Sequence, residues 1–202
     1  MSEQEERLCL YDFDGTLTRK DTLIEFIRFV KGDAGLLWGV VRLSPLLILM
    51  KLHLYDNGKA KQKLFSFCFK GMDIDRFDVL CQEFAKKNWK RLLRPMGIES
   101  IDRDLSRGAR VMVVSASIDN WVRPFFQGNM KPEIVGTQIG TADGVLTGRF
   151  LTPNCYGPEK VRRVKALLKH PRSHYFITAY GDSNGDRDML DLADEAHYKP
   201  FR

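Results

Sequence analysis

The stretch that decides the fold runs from residue 8 to residue 18 and reads LCLYDFDGTLT. Its apolar beginning is typical of a buried strand over residues 8–12. The strand leads into Asp12 and Asp14, followed by a glycine and a threonine that indicate a turn. Two carboxylates at this spacing repel each other and add nothing to a core, so we expect them to serve a ligand.

Two further apolar runs, 111–115 and 175–180, end in small or acidic residues and lead into helical patterns. Strands that alternate with helices predict an α/β fold in which a parallel sheet is flanked by helices. The segment 134–151 predicts one more strand and a small β-hairpin that turns at Asp143 and Gly144. Helices are expected at residues 21–31, 97–107, 118–127, 158–169 and 185–192.

Strand signals are missing between about residues 33 and 94, which predicts a helical insertion after the first strand. Within residues 36–54, Pro45 should kink or divide the helix. This stretch has fewer apolar residues than the roughly 20 that a membrane span needs, so its apolar face either packs against the other insertion helices or contacts a membrane peripherally. That face consists of Leu36, Val40, Leu43, Leu47, Met50 and Leu54.

The composition favours an ordinary globular protein with an anionic ligand. The formal net charge is +6, but the basic residues are dispersed, so a small phosphorylated ligand or a membrane surface is expected rather than a nucleic acid. The N-terminal MSEQEER differs from a secretory signal, and the cysteines lack the spacing of a zinc or disulfide framework. We therefore expect reduced thiols and a cytoplasmic protein, with membrane association as the alternative.

A second acidic cluster, GDSNGD at 181–186, follows the strand at 175–180. The carboxyl ends of parallel strands meet at one edge of a sheet, so Asp182 and Asp186 should lie near Asp12 and Asp14. Carboxylates that converge in this way destabilise one another unless a hard cation joins them, which favours Mg²⁺. The alternative is that Asp182 caps the next helix and Asp186 complements its dipole.

Ser115 and Lys160 are candidates for binding an anion. Ser117 is expected to be the N-cap of the helix at 118–127, which leaves Ser115 at the strand tip with its hydroxyl and nearby N–H groups free for a phosphate. Lys160 lies in the first turn of the helix at 158–169, where a cation is unfavourable unless an anion is close. The alternatives are a plain turn residue at 115 and a solvated lysine at 160.

Together these segments resemble the four motifs of the haloacid dehalogenase-like hydrolases in their order and approximate spacing. The resemblance implies a Rossmann-like core of residues 1–20 plus 95–202 and a helical cap of residues 21–94, as in the phosphoserine phosphatase-like branch. The motifs are DFDGTLT at 12–18, Ser115 after an apolar strand, Lys160 in GPEK, and GDSNGD at 181–186.

The resemblance also implies roles for these residues. Asp12 would be the nucleophile that forms an aspartyl phosphate, and Asp14 would be the general acid and base. Asp12, the backbone carbonyl of Asp14, Asp182 and, in support, Asp186 would hold Mg²⁺. Phosphate oxygens would bind to Ser115, Ala116 and Lys160.

The substrate is less clear from the resemblance than the chemistry is. Phosphoserine phosphatases usually carry glutamate where this chain has Asp21, so Asp21 is expected to bind substrate. The implied function is Mg²⁺-dependent hydrolysis of a small phosphomonoester. The alternatives are a lipid-phosphate phosphatase of the phosphatidylglycerophosphatase type, a signalling receiver, and a non-catalytic membrane-surface module. The oligomeric state is open.

Overall fold

Five parallel strands form the central sheet, as seen in a computed structural model that describes residues 5–52, 55–126, 128 and 131–202, without the side chains of 47 and 49–51. The order across the sheet is β3-β2-β1-β6-β7, which is 3-2-1-4-5 when these five strands are numbered along the chain. In chain order the strands are β1 (Glu6–Tyr11), β2 (Arg110–Ile118), β3 (Glu133–Thr137), β4 (Ile139–Ala142), β5 (Val145–Phe150), β6 (Tyr175–Gly181) and β7 (Glu195–Tyr198).

Helices cover both faces of this sheet, so its central strands are buried on both sides and consist of nearly continuous apolar residues. The predicted α/β class is confirmed, including the helical insertion after the first strand; β7 was not predicted. The α-helices are α1 (Thr22–Lys51), α2 (Asn57–Phe69), α3 (Ile74–Leu92), α4 (Pro95–Ser106), α5 (Asp119–Val122), α6 (Pro158–Leu167) and α7 (Arg187–Leu192).

Helix α1 is divided at Gly32 and continues through Pro45. Gly32 has φ 72° and ψ 176°, a combination that glycine adopts without a steric penalty. Pro45 cannot donate a backbone hydrogen bond to the Val41 carbonyl, but the Ser44 hydroxyl donates to that carbonyl at 2.9 Å. The helix is therefore not divided at Pro45, and a neighbouring side chain bonds to the carbonyl that the proline cannot reach. A kink at Pro45 stays a prediction.

The predicted apolar face of residues 36–54 is partly directed inward. Leu36 is buried and Leu43 packs against the core, whereas Val40 is 36% exposed. The side chains of Leu47 and Met50, and Leu54 as a whole, lie outside the described part of the chain. Among the helices in the described ranges, none has the length and hydropathy to cross a membrane.

Two other predicted helices are shorter than expected. Within the predicted helix 118–127, of which residue 127 lies outside the described part of the chain, Ile118 ends β2 and the following residues form α5 and a 3₁₀ turn, Arg123–Phe125. Pro124 cannot continue the α-helical hydrogen bonding. The segment 185–192 starts with a 3₁₀ turn, Asn184–Asp186, before α7.

The hairpin of β4 and β5 is hydrogen-bonded to the turn between α2 and α3. The Gly71 N–H donates to the Leu146 carbonyl and the Leu146 N–H donates to the Met72 carbonyl, both at 2.8 Å. The hairpin turns at Asp143 and Gly144, both with positive φ, which confirms the predicted turn. The hairpin thus forms one structural unit with the insertion, although the two lie far apart in sequence.

The larger of the two apolar clusters joins the sheet to the insertion without interruption. Phe26 lies in it with ring centroids 5.1 Å from Trp121, 5.2 Å from Phe84 and 5.5 Å from Phe77. Tyr11 and the other residues on this face of the sheet belong to the same cluster. The insertion therefore packs onto the sheet through aromatic side chains.

Candidate active site

The candidate site lies at the carboxyl ends of β1 and β6. In the order 3-2-1-4-5, the strands that follow β1 are first added on one side of it, and β6 and β7 are then added on the other. Open α/β sheets bind ligands at the point between two strands where this switch occurs. Asp12 follows β1 directly, and its N–H donates to the Tyr180 carbonyl at 2.9 Å. Asp182 follows β6. The sheet thus places two of the predicted carboxylates side by side.

Three acidic residues converge at this point. Asp12, Asp182 and Asp186 each offer a carboxylate oxygen, and these oxygens all lie within 4.8 Å of one another. Asp12 Oδ2 is buried and has no hydrogen-bond partner among the described residues. A buried oxygen without a partner is costly, and an all-oxygen donor set suits a hard divalent cation. These residues therefore fit Mg²⁺.

Lys160 balances part of this negative charge. Its Nζ donates to Asp12 Oδ1 and Asp186 Oδ1, both at 2.6 Å, and to the Val114 carbonyl at 2.7 Å. Only 1% of Lys160 is exposed, so the alternative of a solvated lysine is wrong. Burial alone would lower the pKa of Lys160, but the Asp12 and Asp186 charges raise it above its ordinary value.

The two aspartates have opposite net pKa shifts, although burial raises and the Lys160 ammonium lowers the pKa of both. Burial raises the pKa of Asp12 to about 7, against the opposing effect of the Lys160 ammonium. Burial also acts to raise the pKa of Asp186, but the Lys160 ammonium and hydrogen bonds from Ser183 hold it below its ordinary value. Asp12 is thus the carboxylate in this pair whose negative charge is less well compensated, and a bound cation would favour its ionised form.

Asp14 lies beside the acidic cluster with its carboxylate directed elsewhere. Asp14 Oδ1 accepts from the N–H and the hydroxyl of Thr22, both at 2.7 Å, and Oδ2 accepts from the Ser117 hydroxyl at 2.5 Å. Burial and the Asp21 charge raise the pKa of Asp14, opposed by Lys61 and these hydrogen bonds. A raised pKa suits a carboxyl group that must hold a proton.

The structure corrects the expectations for the serines after Val114. Strand β2 continues to Ile118, so Ser115 lies inside the strand and Ser117 is not a helix cap. Ser115 Oγ accepts from the Ser117 N–H at 2.9 Å, which leaves its own hydrogen free to donate. Ala116 lines the site cavity, and its carbonyl accepts from Lys61 Nζ at 2.9 Å.

Asp21 and Asp182 each have additional partners. Asp21 Oδ1 accepts from the N–H groups at the start of α1, at 2.9 and 3.2 Å, so Asp21 caps that helix at the rim of the cavity. Asp182 pairs with Arg202 and accepts from the Thr16 hydroxyl at 3.3 Å. Asp182 does not cap the following 3₁₀ turn, because Ser183 does so in a reciprocal pair with Asp186.

A cavity of about 360 Å³ opens above these groups. Asp12, Asp14 and Lys160 line its polar part, and the insertion contributes an apolar wall and Lys61. Sequence reasoning missed Lys61 and Thr22, because their approach depends on how α1 and α2 pack. Ser117 was predicted to be a helix cap, whereas in the structure its hydroxyl donates to the Asp14 carboxylate. The apolar wall consists of Leu23, Ile24, Ala60 and Leu64.

Comparison with known proteins identifies the family. The profile described as haloacid dehalogenase-like hydrolase matches residues 9–191. Protein CicA of Caulobacter vibrioides is 34% identical over 203 residues, which cover 98% of this chain and 88% of CicA. The chain therefore belongs to the haloacid dehalogenase-like hydrolases and is an enzyme of that family. The resemblance predicted from the four motifs is confirmed.

Solved structures show the same fold. A protein of unknown function from Bordetella pertussis Tohama I superposes with a TM-score of 0.83 at 19% identity, over 95% of this chain and 88% of that one. A phosphoserine phosphatase, solved as an analogue of its phospho-aspartyl intermediate, superposes with a TM-score of 0.58 at 21% identity, over 95% of this chain and 85% of that one. The chain therefore has the architecture of the phosphoserine phosphatase-like branch.

Proposed function

We propose that this enzyme is a Mg²⁺-dependent phosphomonoester hydrolase that acts on a small phosphorylated metabolite through an aspartyl-phosphate intermediate. The observation that carries the proposal is the environment of Asp12, whose Oδ2 is buried without a hydrogen-bond partner among the described residues while Oδ1 is held by Lys160. An oxygen in this state is positioned by its neighbours and free to react. The phosphoserine phosphatase fold and the family membership support the same reaction.

In the proposed first step, an Asp12 carboxylate oxygen attacks phosphorus and the bond between phosphorus and the ester oxygen breaks. Asp14 donates a proton to the departing alkoxide, so that an alcohol leaves. In the second step Asp14 takes a proton from a water molecule that attacks the phosphorus. The bond between phosphorus and Asp12 then breaks, which releases inorganic phosphate and restores the carboxylate.

Thr22 and Ser117 position Asp14 for these proton transfers. Their three hydrogen bonds to the Asp14 carboxylate fix its orientation at the cavity, while burial favours its protonated form. The Ser117 hydroxyl donates at 2.5 Å, so it competes with the proton that Asp14 must carry. We propose that this balance keeps Asp14 able to both give and take a proton.

Ser115, Ala116 and Lys160 are proposed to bind the phosphoryl oxygens. The Ser115 hydroxyl hydrogen is free to donate, Ala116 lines the cavity, and Lys160 presents a positive charge beside Asp12. Donors that are already fixed in place stabilise charge on the transferring group without reorganisation.

Asp12, the backbone carbonyl of Asp14, Asp182 and Asp186 are proposed to hold the metal ion. Bound Mg²⁺ would neutralise charge on the nucleophile and on the phosphoryl group, which otherwise repel each other. Asp186 supports this arrangement from the side, because its Oδ2 accepts the N–H of Asp182 at 3.1 Å and that of Ser183 at 2.9 Å. These bonds shape the loop that carries Asp182.

Residues 21–94 are proposed to act as a cap over a core of residues 1–20 plus 95–202. Lys61 and Leu64 of α2 line the cavity directly above Asp14, so the cap contributes to the substrate surface. Asp21 is proposed to contact the substrate from the rim. A cavity of about 360 Å³ suits a small molecule, and Lys61 favours one with a second polar or anionic group.

The test is hydrolysis of p-nitrophenyl phosphate by the full-length chain with Mg²⁺ and with EDTA. We expect turnover only with Mg²⁺, loss of turnover in Asp12→Asn, and a fall in kcat of about 10²–10⁴-fold in Asp14→Asn. Asp188→Asn is the matched control, since Asp188 is an exposed carboxylate two residues beyond Asp186. Unchanged turnover in Asp12→Asn would exclude it as the nucleophile, and equal rates in EDTA would exclude the metal.

A further inference from the structure

Helix α1 carries an exposed apolar surface beyond the kink at Gly32, on the side opposite to the cavity wall. Its members are between 54% and 63% exposed. We name this surface the α1 apolar face. It consists of Leu37, Trp38, Val41, Ile48 and Leu52.

The α1 apolar face is continuous along the helix. Positions 37, 41, 48 and 52 follow spacings of four, seven and four residues, so they share one side, and Trp38 and the exposed Pro45 extend it. From residue 37 to residue 52 the face is roughly 22 Å long at 1.5 Å per residue. On the opposite side Leu36 and Leu43 pack inward. A helix that is apolar on all sides is normally covered on all sides.

Basic residues outnumber acidic ones in the segment that carries this face and in the helix next to it. Residues 33–70 contain six basic side chains and two acidic ones. Arg42 is exposed beside the face, and Lys59, Lys63 and Lys70 are exposed on the neighbouring helix α2. An apolar strip with a basic border is the pattern of a helix that lies in the headgroup region of an anionic bilayer.

A second copy of the chain fits this surface less well. If two copies met through the α1 apolar face, the excess of basic residues on each α1–α2 pair would face the same excess on its partner. Like charges at an interface oppose association. The same excess of positive charge is attracted to the surface of an anionic bilayer.

We infer that the α1 apolar face docks the enzyme peripherally on the surface of an anionic lipid bilayer. Trp38 and the aliphatic side chains enter the headgroup region, and Arg42 with the lysines of α2 contacts lipid phosphates. The inference does not depend on the proposed function, because it concerns a surface away from the acidic cluster.

The test is co-sedimentation of the full-length chain with vesicles of phosphatidylcholine alone or mixed with phosphatidylglycerol. We expect binding to the anionic vesicles that weakens as salt is raised. The double variant Trp38→Gln/Ile48→Gln should bind at least about tenfold more weakly, since burying each side chain contributes more than 1.4 kcal/mol. The matched control is Val79→Gln/Leu151→Gln, two residues that are 53% and 70% exposed elsewhere.

A spectroscopic measurement guards against a variant that fails to fold. Brominated lipids in the anionic vesicles should quench tryptophan fluorescence of the unmodified chain, and the conservative variant Trp38→Phe should remove most of that quenching. Trp121 is fully buried, and Trp89, which is 37% exposed, lies on α3 outside the α1 apolar face, so neither should respond.

Three outcomes would overturn the inference. They are absence of binding to either kind of vesicle, equal binding by the test and control double variants, and quenching that persists in Trp38→Phe. Light scattering of the protein without vesicles tests whether a second copy of the chain covers the face instead. If the unmodified chain does not bind vesicles but forms a dimer that Trp38→Gln/Ile48→Gln abolishes, the face belongs to a second copy.

Discussion

Lys160 is the residue on which the charge balance of the site depends. Its ammonium lies 2.6 Å from oxygens of both Asp12 and Asp186, with almost no exposure to water. A buried ion pair adds little net stability when it is complete, but the loss of one partner leaves an uncompensated charge. Lys160 therefore matters for stability as well as for the proposed binding of phosphate.

The variant Lys160→Met tests this dependence. We expect the free energy of unfolding to fall by roughly 3–5 kcal/mol, because two buried carboxylates lose their cation. Lys165→Met on the same helix is the control, since Lys165 is exposed, and its effect should stay within about 0.5 kcal/mol. Urea unfolding in EDTA measures both. A similar small effect for the two variants would contradict the role of Lys160.

Glu159 gives a prediction about pH. Hydrogen bonds from Arg162 and Arg163 lower the pKa of Glu159 from 4.5 to about 2. Because its folded-state pKa is depressed, Glu159 stabilises the fold above the unfolded-state value of 4.5, and this contribution is lost as the pH falls toward 2.

The comparison is with Glu159→Gln. Its melting temperature should lie below that of the unmodified chain near neutral pH, and the two should approach each other as the pH is lowered through this range. The difference isolates Glu159 from other carboxylates that titrate there. A constant difference across the acid range would show that Glu159 does not carry this pH dependence.

The sequence predicted the convergence of Asp12, Asp182 and Asp186, because residues at the carboxyl ends of neighbouring parallel strands must meet. Lys160 lies in the first turn of a helix, and only the family resemblance predicted its place beside them. It did not predict the surroundings of Asp14. Thr22 reaches Asp14 only because α1 starts where it does, and a short motif carries no information about that packing. The catalytic, metal-binding and phosphate-binding roles assigned to the site residues, including Asp21, Ser115 and Ala116, stay predictions.

At the scale of elements, the two parts of α1 depend on Gly32. Its φ of 72° with ψ of 176° redirects the chain, so that residues 33–51 follow a different axis from residues 22–31. An added Cβ at Gly32 would meet no atom within 4 Å, so the requirement for glycine is one of backbone conformation alone.

Gly32→Ala should therefore lower the free energy of unfolding by roughly 1–3 kcal/mol. Gly39→Ala is a matched control in the same helix, where the new methyl group would make ordinary contacts at 3.6 Å with Leu64 and Phe67. It should raise stability by roughly 0.5–1 kcal/mol. Chemical denaturation of both variants measures whether the two changes in the free energy of unfolding have opposite signs. Equal changes would show that a side chain at position 32 causes no backbone strain.

Element types were predictable where periodicity and turn residues agree, as in the strands and in the hairpin at Asp143–Gly144. Strand β7 was missed because EAHY is only four residues long and has no continuous apolar run, and its pairing with β6 decides its conformation. The continuation of the helix through Pro45 could not be predicted, because the bond from the Ser44 hydroxyl to the Val41 carbonyl depends on the side-chain rotamer of Ser44.

At the scale of the molecule, the aromatic cluster around Phe26 joins the insertion to the sheet. Separation of residues 21–94 from the rest as a rigid body would expose Phe26, Phe84 and Trp121 together. That exposure would cost several kcal/mol, since each aromatic side chain contributes about 1.5–3 kcal/mol when buried. We therefore expect substrate access through local movement of α2.

The continuity of this cluster predicts cooperative unfolding. The whole chain should unfold in one transition, with coincident curves from far-ultraviolet circular dichroism and from tryptophan fluorescence. The buried Trp121 should dominate the change in fluorescence, because Trp38 and Trp89 are already exposed in the folded chain. Measurement in EDTA removes any contribution from bound metal. Two separate transitions would show that residues 21–94 and the sheet are independent units.

The attachment of the β4–β5 hairpin to the turn between α2 and α3 affects how this protein could be recombined with its relatives. A chimera that exchanges residues 21–94 alone would join foreign helices to a native hairpin, and the backbone bonds between Gly71, Met72 and Leu146 would have to form between unmatched partners. The unit that we propose to contact the substrate is thus discontinuous in sequence. Grafts that carry residues 139–150 together with 21–94 should transplant specificity more faithfully than grafts of the contiguous segment.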